Sequence, residues 1–188
     1  MPGKLIVVSG PSGSGKTTIA RWLLERVPLL RFSVSATTRP KRVGEEEGRD
    51  YYFLTRKEFL DRVAAGAFVE WEEVFGNCYG TPAAEIERAR REGAHLLFDV
   101  DVKGALSIKR RYPEALLIFI QPPSMETLRE RLQGRHTESD EELGVRLERA
   151  AMELERGKEF DRRVVNDALE RAAAEVHQIV LHYLSPSI

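Results

Sequence analysis

The stretch that most constrains the fold is the apolar run Leu5-Ile6-Val7-Val8, which leads through Ser9 into Gly10-Pro11-Ser12-Gly13-Ser14-Gly15-Lys16-Thr17 and then into helically spaced residues. An unbroken apolar run of that length is what a strand buried on both faces of a parallel sheet requires. The glycines let the backbone after it curl so that successive N–H groups converge, and the following helix start adds a positive dipole. Such a strand, loop and helix cradle phosphates, with Lys16 reaching the β and γ groups and the Thr17 hydroxyl placed to ligate Mg²⁺. Residues Gly10, Pro11, Ser12, Gly13, Ser14, Gly15, Lys16 and Thr17 therefore form a candidate nucleoside triphosphate site, a feature that switches, motors and kinases share.

The rest of the chain repeats that rhythm. Further apolar runs fall at 96–100, 116–120 and 164–165, and are expected as strands buried on both faces. Helical spacing predicts helices over 17–27, 83–91, 103–111, 125–132, 141–156 and 169–184. Alternating strands and helices in 188 residues imply one α/β unit, a three-layer P-loop NTPase fold around a parallel sheet with right-handed crossovers. Its core is expected over 1–34, 83–123 and 158–188.

Two stretches break the rhythm. Residues 35–82 are rich in aromatics, alternate in polarity and carry turn signals at Gly44, Gly48 and Gly76-Asn77. They predict a small antiparallel sheet with one helix over 56–65, an insertion and not a second core. Residues 124–157 are dense in Arg and Glu with few large apolar groups, and predict two helices that pack lightly on the body and can move, a lid.

Charge and cysteine content narrow the function. Twenty-nine basic residues against thirty acidic leave a net charge of −1, so no global field draws in nucleic acid or an anionic membrane. The single cysteine, Cys78, excludes an intrachain disulfide framework, and no leader or apolar run of about 18 residues is present. A reducing cytoplasm is the expected location, with no obligate protein partner. Arginine outnumbers lysine about threefold and the amides Asn and Gln number five, a composition that fits heat adaptation.

The insertion carries the second ligand. Arg39 and Arg42 with the phenols Tyr51 and Tyr79 suit a terminal phosphate, since guanidinium binds it as a fork and phenol adds one directed bond. A carboxylate beside them, Glu70, suits guanine, whose N1–H and N2–H₂ are adjacent donors that adenine lacks. Singly, each has a plainer reading as a solvated charge or a strand aromatic.

At this point the chain resembles the guanylate kinase family, the ATP:GMP phosphotransferases, over nearly its whole length. The motifs are GPSGSGKT at 10–17, FSVSATTR at 32–39, GRDYYF at 48–53, FVEW at 68–71, GNCYGT at 76–81, FDVDVKGA at 98–105, RLQGR at 131–135 and VVND at 164–167. The resemblance implies that ATP and GMP are the substrates and Mg²⁺ the cofactor. It implies Ser35, Glu70 and Thr81 as readers of guanine, and Arg39, Arg42, Tyr51 and Tyr79 as holders of the GMP phosphate. Asp99 would border the nucleoside, and Asp101 would support Mg²⁺ through water. Among the lid arginines, Arg131, Arg135 and Arg146 are implied as phosphate contacts, with Arg149 ranked behind them. Asn166 follows the last strand, where contacts to the adenine end are usual, and helix capping is an equal account of it.

The chain departs from the family pattern in three places. Proline stands at Pro40, one place earlier than usual before Arg42, Cys78 replaces a more common aromatic, and Lys103 replaces glutamine. In the chemistry implied, alignment and charge neutralisation do the work and no general base is required. His95, His136, His177 and His182 accordingly show no metal-ligand spacing and are assigned structural or surface roles. A kinase for a phosphorylated sugar would lack the guanine-reading set, and a non-enzymatic interaction module of this fold would lack an intact phosphate loop; both features are present.

Overall fold

Leu5–Ser9 (β1) is flanked by two parallel neighbours, His95–Asp99 (β7) and Leu116–Gln121 (β8). Leu30–Phe32 (β2) and Arg162–Val165 (β9) complete a five-stranded parallel sheet of order β2-β7-β1-β8-β9. The computed structural model describes residues 3–74, 76–134 and 140–185.

The unbroken apolar runs are explained by what covers each face. Leu5 and Val7 point with Leu96, Phe98, Leu117 and Phe119 into one buried cluster, roofed by Ala83–Arg91 (α3) and Val102–Arg111 (α4). Ile6 and Val8 point with Leu97, Ile118 and Ile120 to the other, roofed by Lys16–Arg26 (α1) and Leu169–Leu184 (α7). Because alternate side chains of one strand feed opposite cores, every residue of β1 is apolar or small.

Two strands differ from expectation. β2 was not foreseen, because it is three residues long and its central Arg31 is exposed. The expectation that 164–165 is buried on both faces is corrected: only Val164 is buried, while Arg162, Arg163 and Val165 are exposed. β9 is an edge strand, covered on one side by α7.

The insertion forms a second sheet of order β4-β3-β6-β5 from Ala36–Thr37 (β3), Tyr52–Phe53 (β4), Phe68–Val74 (β5) and Asn77–Pro82 (β6). β5 and β3 pair antiparallel with β6, but β3 and β4 run parallel. The sheet is therefore mixed and not antiparallel, since the long loop 38–51 brings the chain back in its original direction where a tight hairpin would reverse it. Arg56–Ala64 (α2) starts with a capping box, Thr55 and Glu58 each serving the other's backbone N–H. The insertion also buries a small core of its own, Ala36, Phe59, Phe68 and Cys78, with Phe59 and Phe68 stacked at 4.5 Å.

The segment expected as a lid holds Met125–Gln133 (α5) and Asp140–Arg156 (α6), the first capped by Ser124. The two helices pack on each other, with Leu128, Leu132, Leu143 and Ala150 buried together. Leu128 and Leu132 also lie over the loop 10–15, where a Cβ on Gly13 would stand 3.2 Å from each. A few well-placed leucines thus join two helices of charged composition.

Candidate active site

The loop 10–15 is held from below. Gly10 is at φ +151°, and a Cβ there would strike the Ile120 carbonyl oxygen at 2.1 Å, so β8 and the loop approach too closely for any side chain. Gly15, at φ +91°, caps α1 in the left-handed region, and its Cβ would meet Asn166 Nδ2 at 2.2 Å. That amide is buried and donates to the Ser14 carbonyl at 2.8 Å. In a trans peptide, fixing Ser14 C=O toward Asn166 turns the Gly15 N–H to the opposite side, into the cradle. Asn166 also donates its own N–H to Gln121 O at 2.8 Å and accepts Arg131 Nη2 at 2.9 Å. It therefore joins the loop, the sheet and α5. The helix-capping account does not hold, because α7 begins after Ala168 without a side-chain cap.

Two features of the loop suit a polyphosphate. The Ser14 hydroxyl is buried without a hydrogen-bond partner among the described residues. The half-buried Lys16 ammonium has no hydrogen bond or ion pair to any of them. Thr17 Oγ1 donates to Asp99 Oδ2 at 2.6 Å, so the hydroxyl expected beside a metal faces Asp99 and not Asp101. Among the described residues no three His, Cys, Asp or Glu side chains come together as a metal cage.

Asp99 also lines a cavity of about 370 Å³ between the core and the inserted sheet. Ser35, Arg39, Arg42, Tyr51, Glu70, Tyr79 and Asp101 share its wall, so the structure gathers nearly all the insertion residues singled out in the sequence. Thr81 is fully buried behind the wall and donates its hydroxyl to Glu70 Oε1 at 2.6 Å. Burial pushes the Glu70 carboxyl above its ordinary range, and the Thr81 bond pulls it partly back. A second cavity of about 460 Å³, shared along Ser35, Tyr51 and Asp99, continues toward Thr17 and Arg21 on α1.

The side of the cavity that carries Arg39 and Arg42 is organised around an internal anion, Glu45. Arg39 forks onto Glu45 at 2.6 and 3.1 Å and lies 5.3 Å from the Tyr51 ring centroid. Hydrogen bonding to Glu45 raises the Arg39 pKa further. The exposed Arg42 gives its backbone N–H to the same carboxylate at 2.8 Å, which holds the loop after Pro40 in place. Tyr51 and Tyr79 meet edge to face at 6.2 Å, and burial raises the Tyr51 pKa.

The opposite wall joins Asp101 and Arg149, both singled out in the sequence, to Glu72 and Glu153, which were not. Asp101 caps α4, its Oδ1 accepting Gly104 N–H at 2.8 Å, while its Oδ2 accepts Arg149 Nη2 at 2.9 Å. Glu72 lines the cavity beside it. Burial, a hydrogen bond with Asp101 and the Asp101 charge push the Glu72 carboxyl up to about 7. Arg149 Nε donates to Glu153 at 3.0 Å, and Glu153 is itself raised by burial and drawn back by Arg149 and Lys16. Glu72 follows the alternation of β5 two places after Glu70, a signal that was available; Arg149 is one of many Arg and Glu residues in its helix.

The remaining sequence candidates lie elsewhere. Arg146 is half-buried on α6 and does not line the cavity. Arg135 and His136 lie outside the described residues. His95 accepts the Lys4 N–H and His177 packs edge-on against Trp22, both structural placements. Cys78 is buried in the core of the insertion. Among the described residues, no helix is long and apolar enough to cross a membrane.

The family model that matches this chain is described as guanylate kinase and covers residues 2–183. Among curated relatives, the guanylate kinase of Chlorobaculum tepidum is 52% identical over 183 residues, 97% of this chain and 94% of the relative. That of Chlorobium luteolum is 49% identical over 184 residues, 97% and 93% of the two chains. The crystal structure of guanylate kinase from Anaplasma phagocytophilum superposes with a TM-score of 0.80 at 35% identity, over 99% of this chain and 88% of that one.

Proposed function

The chain belongs to the guanylate kinase family of phosphotransferases, and from that premise we propose that ATP binds the glycine loop, GMP binds the cavity of the inserted sheet, and the γ-phosphoryl passes between them. The observation that carries this reading is Asp99, which lines the cavity and accepts Thr17 of the loop at 2.6 Å. The triphosphate of the donor and the single phosphate of the acceptor, held on either side of one carboxylate, face each other.

The residues then divide the work. Glu70, backed by Thr81 and flanked by Ser35, accepts the adjacent N1–H and N2–H₂ of guanine; dGMP presents the same edge and is an acceptor too. Arg39 and Arg42 with Tyr51 and Tyr79 hold the acceptor phosphate, which displaces Glu45 from the Arg39 fork. On the donor side the loop N–H groups, Ser14 and Lys16 bind the β and γ phosphates, with Arg131, Arg135 and Arg146 adding positive charge. Asn166 serves ATP by orienting the loop.

A hydroxyl and a carboxylate beside the loop suit a hard divalent cation that brings phosphate oxygens as its other ligands. Thr17 with Asp99 would hold Mg²⁺, which when bound neutralises charge on the transferring group. Asp101, with its oxygens engaged by Gly104 and Arg149, would reach the ion through water. No residue is asked to remove a proton, because the acceptor oxygen is already anionic near neutral pH. The products are ADP and GDP, as in recycling of purine nucleotides. The reading is of a cytoplasmic enzyme acting on small molecules without nucleic acid, membrane or obligate protein partner.

The test is ADP formation from ATP and Mg²⁺ with GMP, AMP, CMP and UMP offered separately. Turnover confined to GMP is expected, and equal turnover with AMP would remove the Glu70 assignment.

A further inference from the structure

Among the described residues, the side chain of the lid helices that lines the acceptor cavity is Arg149. It reaches the cavity wall through Asp101 Oδ2 at 2.9 Å while its Nε stays on Glu153 of its own helix at 3.0 Å. Asp101 is the N-cap of α4, and Gly104 in the first turn of that helix backs the guanine-side carboxylate: a Cβ there would stand 3.0 Å from Glu70 Oε2. The lid is thus tied to the same short segment that supports Glu70.

The charge balance gives that tie a purpose. Glu70, Glu72, Asp99 and Asp101 all line the cavity; against them stand Arg42, Lys103 at 3.6 Å from Glu72, and Arg39, which is already forked onto Glu45. A nucleotide with a dianionic phosphate entering this wall meets an excess of negative charge. Arg149 offsets it, and does so only while α6 lies against the cavity. Acceptor binding and lid closure must then favour one another, because a coupling between two equilibria is reciprocal.

We infer that Arg149 is a positioning residue that latches the lid onto the acceptor wall through Asp101, so that lid closure answers to the acceptor nucleotide and not to the donor phosphates alone. This assigns Arg149 a place different from that of the phosphate-contacting lid arginines. It rests on the reading of the cavity as the GMP site.

The test compares wild type with Arg149→Met and Arg149→Lys, each first checked for an unchanged circular dichroism spectrum and melting curve. The dissociation constant of GMP is measured with and without a non-hydrolysable ATP analogue. Wild type should bind GMP more tightly when the analogue is present. Arg149→Met should weaken GMP binding in the presence of the analogue by roughly tenfold, the scale of one charge-assisted hydrogen bond discounted for its partial exposure. It should also abolish the effect of the analogue, while leaving KM for ATP within about twofold. Arg149→Lys, which keeps the charge but reaches one carboxylate at a time, should recover part of the coupling. A rise in KM for ATP with GMP binding unchanged would make Arg149 an ordinary donor-phosphate contact and overturn the inference, as would undiminished coupling in Arg149→Met. Failure of wild type to bind GMP would overturn the functional reading instead, which keeps the two failures distinct.

Discussion

Replacing Asn166 by Ala tests whether the phosphate loop depends on a residue that need not touch the nucleotide. The side-chain amide is buried and donates to the Ser14 carbonyl at 2.8 Å. Its removal leaves a buried acceptor unpaired, a cost of about 1–3 kcal/mol. If that cost falls on the oriented loop, affinity for the donor drops by roughly 5- to 150-fold. KM for GMP should stay within about twofold, because Asn166 does not line the acceptor cavity. Direct contact with adenine would also lower ATP affinity, so the assay includes inorganic tripolyphosphate and CTP. A loop-orienting role weakens all three triphosphates alike; an adenine contact weakens ATP alone. Gly15→Ala adds a second check, since its Cβ would stand 2.2 Å from Asn166 Nδ2 at φ +91°. The left-handed backbone costs about 1–2 kcal/mol whatever the neighbour, but Asn166→Ala should relieve the clash, making the double variant less damaged than the sum of the two. Unchanged affinity for all three triphosphates in a folded Asn166→Ala protein would refute the reasoning.

Three further outcomes follow from the geometry. Leu128→Ala, at a fully buried site over Gly13, should cost about 2–5 kcal/mol in denaturant unfolding, and a loss below about 1 kcal/mol would show that the leucines joining α5 and α6 do not act as a packed core. Glu72 has a carboxyl raised from 4.5 to about 7, so the folded state holds its proton more tightly than the unfolded chain, and the stability this gives is complete below pH 4.5 and lost as pH rises through 7. Glu72→Gln should accordingly gain in melting temperature relative to wild type as pH is raised across that window, and a difference independent of pH would show that Glu72 is not perturbed. The arginine-rich, amide-poor composition predicts a melting temperature above the usual mesophile range of about 45–65 °C, and a value inside it would remove the inference of heat adaptation.

Much of this arrangement was legible because the sequence features concerned are local. A buried parallel strand needs an unbroken apolar run, and a phosphate cradle needs glycines between strand and helix, so β1 and the loop 10–15 read directly. The gathering of Arg39, Tyr51, Glu70 and Tyr79 around one cavity was foreseen from their chemistry, with the family motifs adding Ser35 and Thr81. What escaped was tertiary. Strand direction is not written in side-chain alternation, so the parallel pairing of β3 with β4 was invisible. Arg31 interrupts β2, and nothing in Val164-Val165 says that one face would be left uncovered. Glu45 sits in an acidic run that looks like any solvated loop, yet it fills the Arg39 fork. Arg149 shares its helix with enough glutamates that surface ion pairs explain it equally well until Asp101 is seen to lie against it. Asn166 was placed in the right neighbourhood, but its partner Ser14 is 152 positions away.

The central claim is that two nucleotide sites open onto a common floor at Asp99. Its most direct test is a linked ligand in which adenosine and guanosine are joined through five phosphates, measured by calorimetry against ATP and GMP. The account predicts one molecule bound per chain, displaced by either nucleotide, and held more tightly than the analogue with adenosine at both ends. Displacement by ATP but not by GMP, or equal affinity for the two linked ligands, would contradict it.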